Sequence, residues 1–170
     1  MKILRNAAIA CCALAGCVAV VPITISTETT SSRPTSVTMA YAPAGSISAQ
    51  VGTLLNKERT DRGLDPLAHN PLIDQIATAH ARDMYENQFF GHTGTNGRSS
   101  FQRLKRAGYG PCLSAENLAQ GYTTPTDVVR GWMQSDGHRS NNLQPSALEY
   151  GVGYETEGHN WVLMLAAPGC

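Results

Sequence analysis

What most constrains this chain is the order of its patterns: helical periodicity fills the front of its folded region, and strand patterning closes it. Tyr150-Gly151-Val152-Gly153-Tyr154 and Trp161-Val162-Leu163-Met164-Leu165 flank a turn containing Gly158, which predicts a hairpin. Ahead of it, Val51, Leu54, Leu55 and Glu58 fall at helical spacing, predicting a helix from about Ser48 to Arg62 that Gly63 stops. Asn70 reads as the N-cap of a second helix, with Pro71 in the first position and Asp74 in the first turn. Ile73, Ile76, Ala77, His80 and Met84 then share one face, where His80 is expected to be a core histidine with a satisfied ring. Ser99 and Gln102 have capping-box spacing before a short helix with Phe101, Leu104 and Ala107 that ends at Gly108. Thr124, Pro125 and Asp127 open another, with Val128, Val129, Trp132 and Met133 as its apolar residues and Gly137 as its stop. Leu113 to Gly121 is a strand candidate. Helices first and strands last give an α+β layered domain.

A length of 170 residues suits one domain and an N-terminal extra. Met1 to Pro22 reads as an export signal: Lys2 and Arg5 make a basic start, and the apolar run from Ala7 to Ala15 is short for a membrane span. Leu14-Ala15-Gly16-Cys17 resembles the lipobox of bacterial lipoproteins, in which the Cys17 thiol would carry lipid and tether the chain to a membrane. Val18 to Ile23 is apolar where lipoproteins usually turn polar, so an ordinary secretory signal with a later cut stands beside it. Residues 23–46 read as a Ser/Thr/Pro-rich linker, and residues 47–170 as the folded domain. Export leaves Cys112 and Cys170 for that domain, and in an oxidising compartment they read as one disulfide; a pair of buried thiols is the alternative. The bond would close a loop for which chain entropy gives roughly 4 kcal/mol.

The chain carries 13 Lys and Arg against 13 Asp and Glu. Removing the first 16 residues takes away Lys2 and Arg5, leaving 11 against 13 and a net charge of −2. This mild balance steers the protein to neither nucleic acid nor an anionic membrane surface. There is no G-x-S-x-G elbow, no H-E-x-x-H helix and no phosphate-binding Gly-rich loop, and no nucleophilic thiol is left over if Cys112 and Cys170 pair.

Three polar residues stand in unusual settings. His92 follows an aromatic pair in Phe89-Phe90-Gly91-His92, Glu116 interrupts the strand-like Ser114-Ala115-Glu116-Asn117-Leu118-Ala119, and His138 follows the expected helix end at Gly137. Each has an ordinary reading: a turn residue, a solvent-facing strand acid, and a histidine complementing a helix dipole. Together, two imidazoles and a carboxylate are a usable ligand set for zinc or another divalent cation.

The same segments resemble the CAP superfamily of cysteine-rich secretory, antigen-five and pathogenesis-related proteins, in its small bacterial branch. The resemblance runs from about Ile47 to Ala166. It is carried by Asn56-Lys57-Glu58-Arg59, by the A-x-x-H-A-x-x-M pattern of the second helix, and by Phe90-Gly91-His92-Thr93. Ala115-Glu116-Asn117-Leu118-Ala119, Trp132-Met133-Gln134-Ser135-Asp136-Gly137-His138-Arg139-Ser140-Asn141, Tyr150 to Gly153 and Trp161 complete it.

The resemblance implies a three-layer α-β-α sandwich around a small antiparallel sheet, with a central cleft holding two histidines and two acids. His92, Glu116 and His138 match three of these, while Ser135 stands where the second acid would be and Asp136 is the nearest carboxylate. With no nucleophile and an incomplete tetrad, the leading expectation is a binding module, expected as a monomer, taking a small apolar, lipid-like or peptide ligand at the envelope or outside the cell. The alternatives are a metal-dependent hydrolase with Asp136 as base, and a cell-wall or host interaction protein working through its surface.

Overall fold

The last strand organises the molecule. In the computed structural model, which describes residues 44–169, the run of apolar residues from Trp161 to Ala166 is buried along its whole length. Side chains of a strand alternate between faces, so a strand buried throughout needs a layer on each side. Val162, Met164 and Ala166 pack with one set of helices, and Trp161, Leu163 and Leu165 with another.

The elements run α1 (Ile47–Thr60), β1 (Ala68–His69), α2 (Pro71–Glu86), α3 (Ser100–Arg106), β2 (Pro111–Gln120), α4 (Pro125–Gln134), α5 (Asp136–Asn142), β3 (Glu149–Glu155) and β4 (Asn160–Pro168). The sheet order is β1-β3-β4-β2. Helices α2 and α3 cover the face carrying Leu118, Val162 and Met164. Helices α1 and α4 cover the other, around Trp132, Trp161, Leu163 and Leu165. This is the expected α-β-α sandwich with one correction. The sheet is mixed, because the two-residue β1 pairs parallel with β3, Ala68 opposite Glu149 and His69 opposite Tyr150.

The expected starts of the helices are present. Ser46 Oγ accepts from Ala49 N–H, Asn70 from Leu72 N–H, and Thr124 Oγ1 from Asp127 N–H, and Ser99 and Gln102 form a reciprocal capping box. Helix α2 lies almost directly on β3 because Gly151 and Gly153 carry no side chain. A Cβ at Gly153 would come within 2.2 Å of the Ala77 carbonyl carbon, and one at Gly151 within 2.5 Å of the Ile73 carbonyl carbon.

The expected stop at Gly137 is corrected. Helix α4 ends at Gln134, Ser135 is extended (φ −99°, ψ 125°), and Gly137 and His138 lie within α5. Ser135 is a shared boundary: its N–H reaches Trp132 O at 3.3 Å, and its carbonyl accepts from Arg139 N–H at 2.8 Å, restarting the helix. Met1 to Pro22, Cys17 and Cys170 lie outside the described residues, as does the linker up to residue 43. Among the described residues no helix is long and apolar enough to cross a membrane.

Candidate functional site

Strand β2 is an edge strand, and the site is built around it. Along β2, Glu116 and Leu118 face α2 and α3, while Asn117 and Ala119 face α1, α4 and α5. The free edge is covered by side chains. Asn141 Nδ2 donates to Glu116 O at 3.1 Å, and Trp132 Nε1 donates to Leu118 O at 3.1 Å. Carbonyls that would otherwise invite another strand are thereby satisfied.

Glu116 is buried, its side chain only 3% exposed, which corrects the solvent-facing alternative. A buried carboxylate requires partners, and it has two. His92 Nδ1 donates to Oε1 at 2.8 Å, and Arg103 Nη2 of α3 is in ion-pair contact with Oε2. Arg103 Nη1 also donates to His92 O at 3.0 Å and Arg98 O at 2.8 Å. One guanidinium thus holds both the acid and the loop carrying the imidazole. A carboxylate only accepts, so Nδ1 carries a proton toward Glu116, and Nε2 is the ring nitrogen left for another partner. The His92 side chain is 61% exposed.

His138 comes from the opposite side of the edge. Asn117 Nδ2 donates to His138 O at 3.0 Å and to Asn142 Oδ1 at 2.8 Å, while Asn141 Nδ2 donates to Asn117 Oδ1 at 2.8 Å. This amide network fixes the first turn of α5 against β2. Burial, with the neighbouring His92 adding to it, holds the His138 imidazole below its ordinary value of 6.5. Asp136 stands apart: its side chain is 93% exposed and pairs with Arg139 at 2.5 Å.

His80 sits behind the site, 2% exposed, its Nε2 donating to Gly91 O at 2.9 Å. The expected core position is present, but the ring is only half satisfied, since Nδ1 has no partner. Burial first and Arg103 second lower its pKa. A further His–carboxylate pair, His69 Nε2 with Asp74 Oδ2 at 2.7 Å, holds no nucleophile: Ser48 Oγ donates to that same oxygen at 2.8 Å. Asp74 Oδ1 accepts from Val152 N–H, so this carboxylate ties α1 and β1 to the sheet.

Arg103, Asn117, Asn141 and Asn142 complete the site; Asn117 and Asn141 stand in the motifs of the resemblance without an assigned role, and Arg103 and Asn142 lie outside them. Arg103 shares its helix with Lys105 and Arg106 and nothing in the sequence separates it from them. Asn117 did carry a signal, as an amide in a strand beside an acid.

Residues 53–166 match the family model described as the cysteine-rich secretory protein family, CAP. The chain belongs to the CAP family. It is 38% identical over 135 residues to the uncharacterized protein YkwD of Bacillus subtilis (strain 168), covering 79% of this chain and 50% of YkwD. The chain therefore spans about half the length of that relative. Among solved structures it is similar to an extracellular protein containing an SCP domain from Bacillus anthracis str. Ames (TM-score 0.66, 28% identity), covering 71% of this chain and 40% of that one. An outer surface protein of Borrelia burgdorferi shares the fold (TM-score 0.65, 20% identity), with 70% of this chain and 90% of that one covered.

The CAP fold thus brings His92 onto Glu116 and sets His138 beside them. As a cation site the trio fits poorly. Both Glu116 oxygens already have protein partners, and the Arg103 charge in contact with one of them opposes a divalent ion there. Among the described residues no group of three or more His, Cys, Asp and Glu side chains is placed to hold a metal.

Proposed function

We propose that this chain is an exported CAP module that binds a small apolar or peptide ligand between the His92 and His138 rings without transforming it. The observation that carries this reading is the engagement of both Glu116 oxygens, one by His92 Nδ1 and the other by Arg103. Such a carboxylate, buried, ion-paired and orienting an imidazole, is poorly suited to act as a base. His92 then offers Nε2 on an exposed ring as the point of contact for a polar group of the ligand. Export is supported by the basic-then-apolar start of the chain, and by the extracellular and outer-surface descriptions of the Bacillus anthracis and Borrelia proteins.

The test is a titration of the purified protein with a hydrophobic tetrapeptide and, separately, with a C16 fatty acid, following the imidazole signals of His92 and His138 by NMR. Both rings are expected to shift with at least one probe, and the peptide is expected to survive intact with and without added zinc. Zinc-dependent cleavage of the peptide, abolished by Glu116→Gln and by His92→Ala, would replace this reading with the hydrolase. No shift of either ring with either probe would overturn it.

A further inference from the structure

The even charge balance of the chain conceals a segregation. Residues 44–169 carry ten Lys and Arg against twelve Asp and Glu, but four of the ten and none of the twelve fall between Asn87 and Ala115. That stretch is +4, through Arg98, Arg103, Lys105 and Arg106, and the rest of the domain is −6. Two of the chain's three phenylalanines, Phe90 and Phe101, are exposed in the same stretch, at 52% and 41%.

Arg103 is turned inward onto Glu116. Elsewhere the exposed cations have a carboxylate one helical turn away: Lys57 has Asp61, Arg62 has Glu58, Arg130 has Asp127 and Arg139 has Asp136. Arg82 shares a surface pocket with Glu86, Glu155 and Glu157. Among the described residues Arg98, Lys105 and Arg106 form no ion pair. The carboxylates that reach this stretch are engaged by others: Glu116 by His92 and Arg103, Asp83 by Thr95 and Asn87, and Glu149 by Tyr109 and Asn70. Cations near a helix C-terminus ordinarily complement its dipole. Here the Arg103, Leu104 and Lys105 carbonyls already accept from the Ala107, Tyr109 and Gly108 N–H groups. The dipole also accounts for neither Arg98, which precedes the helix, nor the exposed Phe101 ring.

With Leu104 buried and Arg103 turned inward, Phe101, Gln102, Lys105 and Arg106 share the outer face of α3. Phe101 and Lys105 lie one turn apart, as do Gln102 and Arg106. We propose that this face, with Arg98 beside it, docks onto the surface of an anionic lipid bilayer. The cations would meet headgroup phosphates, and the Phe101 ring would enter the boundary between headgroups and acyl chains. A seven-residue helix is about 10 Å long, so Arg98 and Arg106 at its two ends reach separate phosphates. The remainder of the domain, at −6, is repelled by the same surface, which fixes the orientation of docking. A soluble polyanion would use the cations and leave Phe101 in water. An apolar protein surface would use Phe101 and leave three cations unmatched. Arg103 of the same helix holds the His92 carbonyl, so docking sets that side of the cleft toward the bilayer. The proposal depends neither on what the cleft binds nor on lipid at Cys17.

The test is co-sedimentation of the protein, purified after export, with vesicles of equal parts phosphatidylglycerol and phosphatidylcholine, against vesicles of phosphatidylcholine alone. Any N-terminal anchor contributes equally to every variant, so the variants are compared with one another. The wild type is expected to favour the anionic vesicles and to lose that preference as salt is raised. Lys105→Gln with Arg106→Gln is expected to weaken binding about thirtyfold, and Phe101→Ser several-fold. Lys57→Gln with Arg62→Gln makes the same change of net charge on α1 and is expected to leave binding unchanged. All five side chains are exposed, so the variants should melt close to the wild type. Equal weakening by the two charge pairs would show a response to net charge alone and overturn the proposal. So would equal sedimentation of the wild type with both kinds of vesicle. Binding that Phe101→Ser leaves intact would assign the face to a soluble anionic polymer instead.

Discussion

Glu116 and Asn117 are adjacent in β2, yet they serve opposite sides of the sheet: Glu116 is held by His92 and Arg103, and Asn117 by α5. The alternation of a strand makes this unavoidable, since neighbouring side chains must point to opposite faces. Because β2 is an edge strand, the two halves of the site meet around it. The loop carrying His92 arrives over one face, and the helix carrying His138 over the other.

From this follows the first prediction, on the buried ion pair. Arg103→Ala leaves the Glu116 carboxylate 3% exposed and without a full charge partner. Removing one member of a buried pair costs about 3 kcal/mol, whereas an exposed pair costs under about 1 kcal/mol. Urea unfolding should therefore show Arg103→Ala strongly destabilised and Arg139→Ala, which loses the exposed Asp136 contact and one hydrogen bond to Met133 O, much less affected. Equal effects in both variants would show that Glu116 does not depend on Arg103. The double variant Arg103→Leu with Glu116→Leu should recover much of the loss, because no uncompensated charge remains.

The amide network is the second. Asn117→Ala strands the buried Asn142 Oδ1 and leaves Asn141 Nδ2 with Glu116 O alone, which costs about 1–3 kcal/mol. It also releases His138 O, so the start of α5 should loosen before the rest. Hydrogen exchange on α5 amides is the measurement, with faster exchange expected there than in β4.

How much of this was legible beforehand follows from range. Ser99 with Gln102 and Asn70 with Pro71 are local signals, and both helices start where those residues place them. Gly137 misled for a local reason too: glycine after a helix usually marks a stop, but here an extended Ser135 had already ended α4 and Gly137 is helical. The burial of Glu116 was not legible, because its compensation comes from Arg103, 13 residues away, through a geometry that only the fold creates. β1 was missed because two residues carry no periodicity, and pairing with β3 alone makes them a strand. The histidine positions were found through the family pattern, not through spacing, which carried no geometric information.

Acid sensitivity is the third prediction. His80 is buried and its pKa is lowered, first by burial and then by Arg103, against the raising effects of Glu116, the Gly91 carbonyl and Asp83. The unfolded chain therefore takes up this proton more readily than the folded one. The resulting stability is fully present above about pH 6.5 and is lost as pH falls below it, at a limiting slope of about 1.4 kcal/mol per pH unit for one proton. His138 shifts in the same direction and adds to the trend. His80→Gln keeps a side-chain donor for Gly91 O and removes one titration. Denaturation midpoints between about pH 7.5 and 5 should then fall less steeply than in the wild type. An unchanged slope would place the acid sensitivity elsewhere.

The last prediction concerns the end of the chain. Pro111 stands opposite Pro168 in the β2–β4 ladder, and Gly169 N–H reaches Gly110 O at 3.4 Å. The β2–β4 pairing therefore continues to the last described residue, beside the start of β2 that carries Cys112. A disulfide between Cys112 and Cys170 is expected from the sequence, since export leaves these two cysteines to the domain in an oxidising compartment. It would pin the outer end of the edge strand that carries Glu116 and Asn117. Cross-linking a loop of this length contributes on the order of 4 kcal/mol in the chain-entropy account. Peptide mapping without reduction should recover Cys112 and Cys170 in one linked species. The Cys112→Ser with Cys170→Ser variant should melt at a lower temperature than the oxidised protein, and reductant should no longer affect it. Free thiols at both positions after expression in an oxidising compartment would sink the pairing. If the variant melts like the oxidised wild type, the β2–β4 ladder alone is enough to hold the edge strand.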